Sequence, residues 1–292
     1  MKLLSEPITI RNHCIKNRIV LPPMAVGKTK DSIVNDDVIQ WYDHLTESHA
    51  IGTAISEHMC VSPEGSGGSS HLALYDDKYI DGVSRIADIM HRNGCVAIAQ
   101  LDHMGGKAQP DTGYILSGPS DVIPPSHRRK ITIHPKPMTS EEINNLVISF
   151  TNAAVRAEKA GFDGIQLHAA HGYLLNEFYS PVTNHRTDAY TGNTLAGRCR
   201  LIEDVIHAIR SSVDDDFIIS VRFGAVDYMP HGSTIQEAPK AAIRFAEAGA
   251  DVIDVSGGLC GTNVPGRHEK ILFRNESECI HKAVSVPVTL TG

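Results

Sequence analysis

The sequence lacks the features by which several classes of protein are recognised. Lys and Arg together number 27 against 34 Asp and Glu, so the formal net charge is −7. Proteins that bind nucleic acid or anionic membranes typically carry the opposite excess, so neither partner is expected. No apolar run is long enough to cross a bilayer, and the first residues lack the apolar segment of a secretory signal. The sequence therefore predicts a cytoplasmic protein.

Cysteine is present but scattered, and aromatic residues make up 5% of the chain, with Trp41 as the single tryptophan. No two cysteines lie two residues apart, which excludes zinc-ribbon, thioredoxin-type and clustered iron–sulfur spacings in this sequence. We interpret the thiols as small apolar side chains in a reducing compartment. The six are Cys14, Cys60, Cys95, Cys199, Cys260 and Cys279.

The sequence contains instead an alternation of short apolar runs with helical patterns. Seven runs are rich in β-branched residues and almost continuously apolar, which is typical of parallel strands covered on both faces. They span residues 18–24, 51–57, 95–101, 162–168, 217–223, 251–256 and 286–291. Helices are predicted at 36–50, 77–93, 139–160, 196–210, 236–248 and 276–283. Thr139 and Glu142 form the capping box expected where the third of these helices begins.

This alternation predicts a TIM (β/α)8 barrel, formed as a single domain over residues 1–292. A doubly wound sheet is the alternative, but no G-x-G-x-x-G motif opens any predicted helix. A closed barrel needs eight units and the sequence supplies about seven, so we expect a C-terminal truncation, with the eighth unit beyond Gly292. Residues 105–137, rich in Gly, Pro and Ser, are expected to form a hairpin or lid.

Polar residues follow the predicted strands at their carboxyl ends, which lie on one face of a parallel barrel. His168 and His171 follow the fourth strand, three residues apart. Three interpretations stay open: a metal pair completed by Glu57 or Glu177, two structural histidines, or two N–H donors for a substrate oxyanion. Tyr173 lies two residues further on and is either a proton donor or a packing residue.

Arg222 and Gln100 also stand at the ends of apolar strands. Burying an arginine without an anionic partner is costly, so Arg222 needs a carboxylate or an electron-rich ligand ring beside it. The amide of Gln100 offers a donor and an acceptor, which suits the edge of a heterocycle or a structural hydrogen bond inside the barrel.

Three segments of the chain together resemble a known family. Residues 161–200 read GFDGIQLHAAHGYLLNEFYSPVTNHRTDAYTGNTLAGRCR, residues 17–25 read NRIVLPPMA, and residues 98–108 read IAQLDHMGGKA. In this order they resemble the Old Yellow Enzyme family of FMN-dependent NAD(P)H:flavin oxidoreductases. Within the family, the sequence is most similar to the branch of bacterial ene-reductases and 2,4-dienoyl-CoA reductases.

The resemblance implies an FMN-binding barrel that uses NADH or NADPH as reductant. It implies that Arg222 faces the N1 and C2 carbonyl side of the flavin, and that Gln100 bonds the pyrimidine edge. The residues expected beside the isoalloxazine are Pro23, Met24, Ala25, His58 and His168.

The resemblance also implies a reaction. His168 and His171 would bind the carbonyl oxygen of a small-molecule alkene, and Tyr173 would protonate its α-carbon after hydride transfer from flavin N5 to the β-carbon. Ala25 departs from many relatives, which carry Thr or Cys there, and we expect an altered flavin potential. The alternatives are a metal-dependent barrel hydrolase or lyase and a non-catalytic truncated remnant. The oligomeric state stays open, and a homo-oligomer is one possibility.

Overall fold

Seven parallel strands pair side by side and form a nearly closed barrel. The computed structural model describes residues 3–109, 113–126, 130–264, 266–267 and 271–291. In chain order the strands are β1 (Ile8–Ile10), β2 (His13–Ile15), β3 (Val20–Leu21), β4 (Thr53–Cys60), β5 (Leu72–Ala73), β6 (Val96–Asp102), β7 (Ser117–Gly118), β8 (Lys136–Pro137), β9 (Gly164–Ala169), β10 (Ile218–Val226), β11 (Val252–Gly257) and β12 (Val288–Leu290).

The order of the strands distinguishes a barrel from a doubly wound sheet. The main sheet runs β12-β11-β10-β9-β6-β4-β3, and β5 pairs with the end of β4. Each of these seven strands thus lies beside the one that comes before it among the seven. In a doubly wound sheet, by contrast, the strand order reverses at the first strand. Each of the seven predicted apolar runs overlaps one of these barrel strands, and the TIM-barrel prediction is confirmed.

Helices cover the outer face of the sheet, and their apolar faces pack on the strands. They are α1 (Asp36–Thr46), α2 (Ile80–Arg92), α3 (Ser140–Lys159), α4 (Leu174–Tyr179), α5 (Leu195–Arg210), α6 (Ala238–Glu247) and α7 (Arg274–His281). The capping box of Thr139 and Glu142 is present at the start of α3, as predicted. The sequence pattern does not predict α4, because its six residues are all buried and show no helical periodicity. None of the described helices is long and apolar enough to span a bilayer.

The inside of the barrel is apolar at the amino ends of its strands. Ile55, Ile98, Ile218 and Val252 form a small buried cluster there, separate from the main core between sheet and helices. The β1–β2 hairpin closes this end, and Ile10 packs against the cluster. The barrel is therefore plugged at one end, and a ligand site must lie at the other.

The segment 105–137 differs from the expected hairpin. Its two short strands, β7 and β8, pair in parallel, so the hairpin interpretation is wrong for them. A parallel pair needs a connection that crosses back over its length, which the chain between β7 and β8 provides. Residues 110–112 and 127–129 of this segment lie outside the described residues.

Candidate active site at the carboxyl ends of the strands

The barrel interior becomes polar towards the carboxyl ends of the strands. Gln100 lies two residues beyond Ile98 on β6, and Arg222 lies four residues beyond Ile218 on β10. Side chains at even spacing along a strand share a face, so both point into the barrel. TIM barrels usually fill this region with branched aliphatic residues. A polar interior at this end indicates a binding site.

A chain of amide hydrogen bonds crosses the barrel at the level of Gln100. Its Nε2 donates to Oε1 of Gln166 over 2.8 Å, and Nε2 of Gln166 donates to Ser220 Oγ and Asp254 Oδ2, each at 3.2 Å. An ionised carboxylate only accepts hydrogen bonds, so Asp254 fixes the orientation of Gln166 and thereby that of Gln100. Nε2 of Gln100 therefore makes a structural hydrogen bond inside the barrel, and its carbonyl oxygen offers an acceptor for a ligand N–H.

Arg222 occupies the next level of the barrel, between His168 on β9 and Asp254 on β11. Its Nε lies 3.8 Å from Oδ2 of Asp254 and has no hydrogen-bond partner among the described residues. Burial raises the pKa of Asp254, and the charge of Arg222 opposes this effect. Arg222 as a residue is 5% exposed, so its Nε keeps donor capacity inside the barrel for an electron-rich ligand.

A sharp turn after β9 brings His168, His171 and Tyr173 together. His171 has a φ of 58° and Gly172 one of 69°, and the left-handed backbone at both positions reverses the chain direction. The two imidazoles are nearly perpendicular, with centroids 5.1 Å apart, and the Tyr173 ring lies 4.7 Å from that of His168. The sequence predicted this grouping, and the structure places the three side chains at one point.

The two imidazoles of this turn differ in their partners. Nε2 of His171 lies 2.7 Å from Oγ of Ser256, which holds the ring in one orientation. His168 is buried, and its Nδ1 has no hydrogen-bond partner among the described residues. Burial, with His171 and Arg222 close by, holds the pKa of His168 well below its ordinary value. His168 is therefore a neutral imidazole at pH 7, with a ring nitrogen that can bind a ligand.

The loop after β3 lies against the carboxyl-terminal part of β4. Pro23 is partly buried, whereas Ala25 and Met24 are exposed, Met24 to 40%. The loop is held by the buried Glu57, whose Oε2 accepts the backbone N–H of Val26 over 3.1 Å. Burial raises the pKa of Glu57. Apolar atoms are thus exposed beside a polar barrel end, as a planar ligand requires.

A buried carboxylate lies beside His58 at the end of β4. Oδ2 of Asp102 is 3.0 Å from Nδ1 of His58, and Oδ1 is 3.0 Å from Nε2 of His71. The ring of His58 stands 5.7 Å from that of Tyr173, centroid to centroid. Interactions with His71 and His58 outweigh the effect of burial and hold the pKa of Asp102 well below its ordinary value. His58 thus links the buried Asp102 to Tyr173 on the turn after β9.

A cavity of about 450 Å³ opens beside the turn. His171 and Tyr173 line it, together with Met104, Lys107 and the loop of residues 259–263. Nζ of Lys107 donates to the backbone oxygen of His171 over 2.8 Å. The volume suits a small organic molecule, and the cavity ends on the predicted catalytic residues.

The metal interpretation of His168 and His171 finds no support in the geometry. Among the described residues, the three-ligand group of metal-binding type is His58, His71 and Asp102, and it includes neither histidine of the turn. Glu177, one proposed third ligand, is buried and accepts the backbone N–H of Gly106 over 3.0 Å.

Three residues near the site were assigned no role from the sequence. The position of Asp102 could be predicted from the sequence, because it lies two residues beyond Gln100 and so shares its face of β6. Ser256 lies two residues beyond Asp254 on β11 and was detectable in the same way. His71 comes from the loop before β5, and no pattern in the sequence connects it to the barrel.

The residues present fit a flavin. The buried Arg222 Nε and His168 Nδ1 lack hydrogen-bond partners among the described residues, and both belong to the carboxyl-end layer of the barrel. Met24 and Ala25 expose apolar atoms on the loop after β3, and Gln100 offers a carbonyl oxygen for a ring N–H. A flat heterocycle with polar edges satisfies each of these groups.

The fold and the site together define a TIM-barrel protein with a polar ligand site at the carboxyl ends of its strands. The chain belongs to the NADH:flavin oxidoreductase / NADH oxidase family, whose model matches residues 3–291. The predicted Old Yellow Enzyme resemblance is confirmed, and membership supports FMN as the cofactor.

Two curated relatives show the extent of the similarity. An NADH oxidase of Thermoanaerobacter brockii is 36% identical over 290 residues, which cover 97% of this chain and 44% of the relative. An NADPH dehydrogenase of Geobacillus sp. (strain WCH70) is 38% identical over 261 residues, which cover 88% of this chain and 73% of the relative. The chain thus spans less than half of the NADH oxidase. Both names agree with the expected use of NADH or NADPH.

Solved structures give the same architecture. The old yellow enzyme homologue from Zymomonas mobilis is 26% identical, with a TM-score of 0.83 over 99% of this chain and 81% of that one. Histamine dehydrogenase from Rhizobium sp. 4-9 is also 26% identical, with a TM-score of 0.86 over 98% of this chain and 41% of that one. A complex of 2-naphthoyl-CoA reductase with 2-naphthoyl-CoA is 24% identical, with a TM-score of 0.89 over 98% of this chain and 46% of that one, and shares the fold.

Proposed function

We propose that this chain is the catalytic barrel of an FMN-dependent reductase. It would transfer hydride from NADH or NADPH to the activated C=C bond of an α,β-unsaturated carbonyl or thioester. The observation that carries the proposal is the grouping of His168, His171 and Tyr173, of which His171 and Tyr173 line the cavity. Arg222 is paired with His168 across β9 and β10, and its Nε has no hydrogen-bond partner among the described residues. Two imidazoles and a phenol in one place supply hydrogen-bond donors for a carbonyl and a proton for carbon.

The chain's part in holding FMN is electrostatic and geometric. When bound, FMN accepts a hydride from the nicotinamide and delivers one to the alkene. Arg222 would stabilise negative charge on the pyrimidine side of the reduced ring, because its buried Nε–H lacks another acceptor among the described residues. The carbonyl oxygen of Gln100 would accept a ring N–H. Pro23, Met24 and Ala25 would contact the ring on the loop side, and His58 would lie beside it.

The histidines would hold the substrate carbonyl. His168 is neutral, so it donates one hydrogen bond without placing a charge in the barrel, and it would contact the flavin edge as well. His171 is held by Ser256, so its ring is oriented before the substrate arrives. Fixed donors stabilise the enolate that develops on the carbonyl oxygen, because no reorganisation is needed as charge appears.

Tyr173 would complete the reaction by donating the proton of its Oη to the α-carbon. The phenol is half-buried and faces the same cavity as His171, so it reaches a molecule bound to the histidines. The cavity of about 450 Å³ accommodates the enone or acyl part of a substrate.

Visible spectroscopy of the purified chain tests the proposal. The protein is reconstituted with FMN, its spectrum is recorded without oxygen, and NADH or NADPH and then cyclohex-2-enone or a short enoyl thioester are added. The expected result is a bound yellow chromophore that bleaches with the nicotinamide and recovers with the alkene. A chromophore that bleaches but does not recover with either alkene would contradict the proposed substrate class. A chain that takes up no FMN would contradict the flavin site itself.

A further inference from the structure

The cluster of Asp102, His58 and His71 is not explained by flavin binding alone. The side chain of Asp102 is completely buried, and that of His71 is 4% exposed, whereas His58 retains 17% exposure. A buried carboxylate is costly unless it is paired with a positive charge and hydrogen-bonded. Two imidazoles face it, and the question is which of them carries that charge.

The backbone settles the protonation state of His71. Its Nδ1 accepts the N–H of Gly67 over 2.9 Å, so that nitrogen presents a lone pair and carries no hydrogen. The ring hydrogen must then be on Nε2, which faces Oδ1 of Asp102 at 3.0 Å in a bent contact. His71 is therefore a neutral donor. Burial lowers the pKa of His71, which also favours the neutral imidazole.

The same reasoning excludes a metal ion. The three side chains have the composition of a two-histidine, one-carboxylate metal site. A histidine that binds a metal through one nitrogen normally donates a hydrogen bond from the other. His71 accepts at Nδ1 instead, so its Nε2 is protonated and has no lone pair for a metal. The cluster is therefore a hydrogen-bonded ion pair.

His58 is the remaining candidate for the counter-charge. Its Nδ1 lies 3.0 Å from Oδ2 of Asp102, and an ionised carboxylate requires a hydrogen on that nitrogen. The rings of His71, His168 and Tyr173 lie 4.2, 6.3 and 5.7 Å from that of His58, centroid to centroid. The carboxyl group of Glu57 also interacts with His58, whose charge opposes the effect of burial on the pKa of Glu57. His71 and His168 are neutral, so neither balances the carboxylate.

We propose that His58 is the protonated counter-ion of Asp102 and that its positive charge assists proton donation by Tyr173. This inference rests on the proposed function, in which Tyr173 protonates the α-carbon. As the O–H bond of Tyr173 breaks and the new C–H bond forms, an electron pair stays on Oη. An imidazolium close to the phenol stabilises that negative charge in the transition state, and His58 keeps its own proton throughout. Asp102 is a positioning residue, because it acts only through His58.

The first test measures protonation directly and does not depend on turnover. The chain is labelled with 15N-histidine, and its imidazole signals at pH 7 are assigned by comparison with His58→Gln and His71→Gln. We expect two protonated ring nitrogens for His58 and one, Nε2, for His71. A neutral His58 would overturn the proposal. So would stoichiometric Zn²⁺ binding that His58→Gln abolishes, since it requires the other tautomer of His71.

The second test is a double-mutant cycle on the FMN-loaded protein. Reduced protein is mixed with cyclohex-2-enone, and flavin reoxidation is followed in a single turnover. His58→Gln and Asp102→Asn are each expected to slow this step about tenfold. Neither change should slow a Tyr173→Phe protein further. A full additional loss in the Tyr173→Phe background would show that His58 acts elsewhere.

Two matched variants separate charge from structure. His71→Gln keeps a neutral donor to the same carboxylate and is expected to reoxidise at nearly the unaltered rate. Asp163 also lies between two histidines, with His91 Nε2 at 2.7 Å and His13 Nδ1 at 3.7 Å, but it precedes β9 at the opposite end of the barrel. Asp163→Asn should lower the free energy of unfolding without slowing flavin reoxidation by the alkene. An unaltered protein that never reduces the alkene would contradict the proposed function, while the NMR result would still decide the ion pair.

Discussion

Nε of Arg222 lies 3.8 Å from Oδ2 of Asp254, near enough for the charges to attract and too far for a hydrogen bond. Both side chains are almost completely buried, Arg222 to 5% and Asp254 to 1% exposure. Asp254 thus balances the charge of Arg222 without satisfying its Nε. This separation leaves the guanidinium available to a ligand.

Replacing Arg222 should therefore affect stability and flavin binding separately. Arg222→Gln leaves Asp254 buried without its counter-charge, which typically costs about 3–5 kcal/mol of the free energy of unfolding. Adding Asp254→Asn should recover part of that stability, because no unpaired charge remains. FMN affinity, measured by fluorescence quenching, should stay at least about tenfold weaker in both variants, since the donor to the flavin is missing. Recovery of FMN affinity in the double variant would show that Arg222 serves only to balance Asp254.

Tyr173→Phe should slow one half-reaction of the proposed cycle and leave the other unchanged. We expect reduction of bound FMN by NADH or NADPH to proceed at the unaltered rate, because no proton from Tyr173 is needed in that step. Alkene reduction should slow by about 10²–10⁴, the usual contribution of a positioned general acid. Stopped-flow absorbance of the flavin measures the two half-reactions separately. Unchanged alkene turnover would assign the proton to another group, and an equal loss in both half-reactions would indicate a general defect of the site.

The fold could be predicted from the sequence because its strands are buried on both faces. Each barrel strand is an apolar run long enough to recognise, and the helices between them carry ordinary periodicity and a capping box. The helix α4 could not be found, since all six of its residues are buried and no polar face marks its period. The parallel pairing of β7 and β8 was equally hidden, because it joins two-residue strands across a long connection.

The site could be predicted only in part, for a related reason. His168, His171, Tyr173 and Arg222 stand at strand ends, where the topology of a barrel brings them together. His71 is contributed by a loop, and its contact with Asp102 depends on tertiary packing alone. The contacts of Asp102 with His58 and His71 therefore could not be predicted from the sequence, whereas the FMN cofactor could.

Ser256→Ala tests whether His171 must be oriented in advance. Oγ of Ser256 lies 2.7 Å from Nε2 of His171, and the serine is 1% exposed. Losing one hydrogen bond of this kind costs about 0.5–1.5 kcal/mol, which corresponds to a roughly 2- to 13-fold slower alkene step if the ring then rotates. Flavin reduction by NADH should not change. Ser211→Ala, at the exposed end of α5, is the control. An unaltered alkene step in Ser256→Ala would show that the backbone of the turn alone orients His171.

Glu177 predicts a pH dependence of stability. Burial raises its pKa from the ordinary 4.5 to about 8, against the opposing charge of Lys107 and the N–H of Gly106. Between pH 4.5 and about 8, the carboxyl group of Glu177 is ionised in the unfolded chain and protonated in the folded chain. The free energy of unfolding should therefore fall as the pH rises from about 4.5 to 8, by up to about 1.4 kcal/mol per pH unit from this group.

Glu177→Gln should remove that slope, because the amide is neutral at every pH and its Oε1 can still accept the N–H of Gly106. Urea unfolding at pH 6 and pH 8 measures the effect. The free energy of unfolding of the variant, relative to that of the unaltered chain, should be about 2 kcal/mol higher at pH 8 than at pH 6. The exposed Glu278→Gln provides a control for the substitution itself. Equal pH slopes for the Glu177→Gln and unaltered chains would mean that Glu177 is already ionised in the folded protein. The loop at Gly106 would then be bound by a carboxylate, and Lys107 would have to provide its counter-charge.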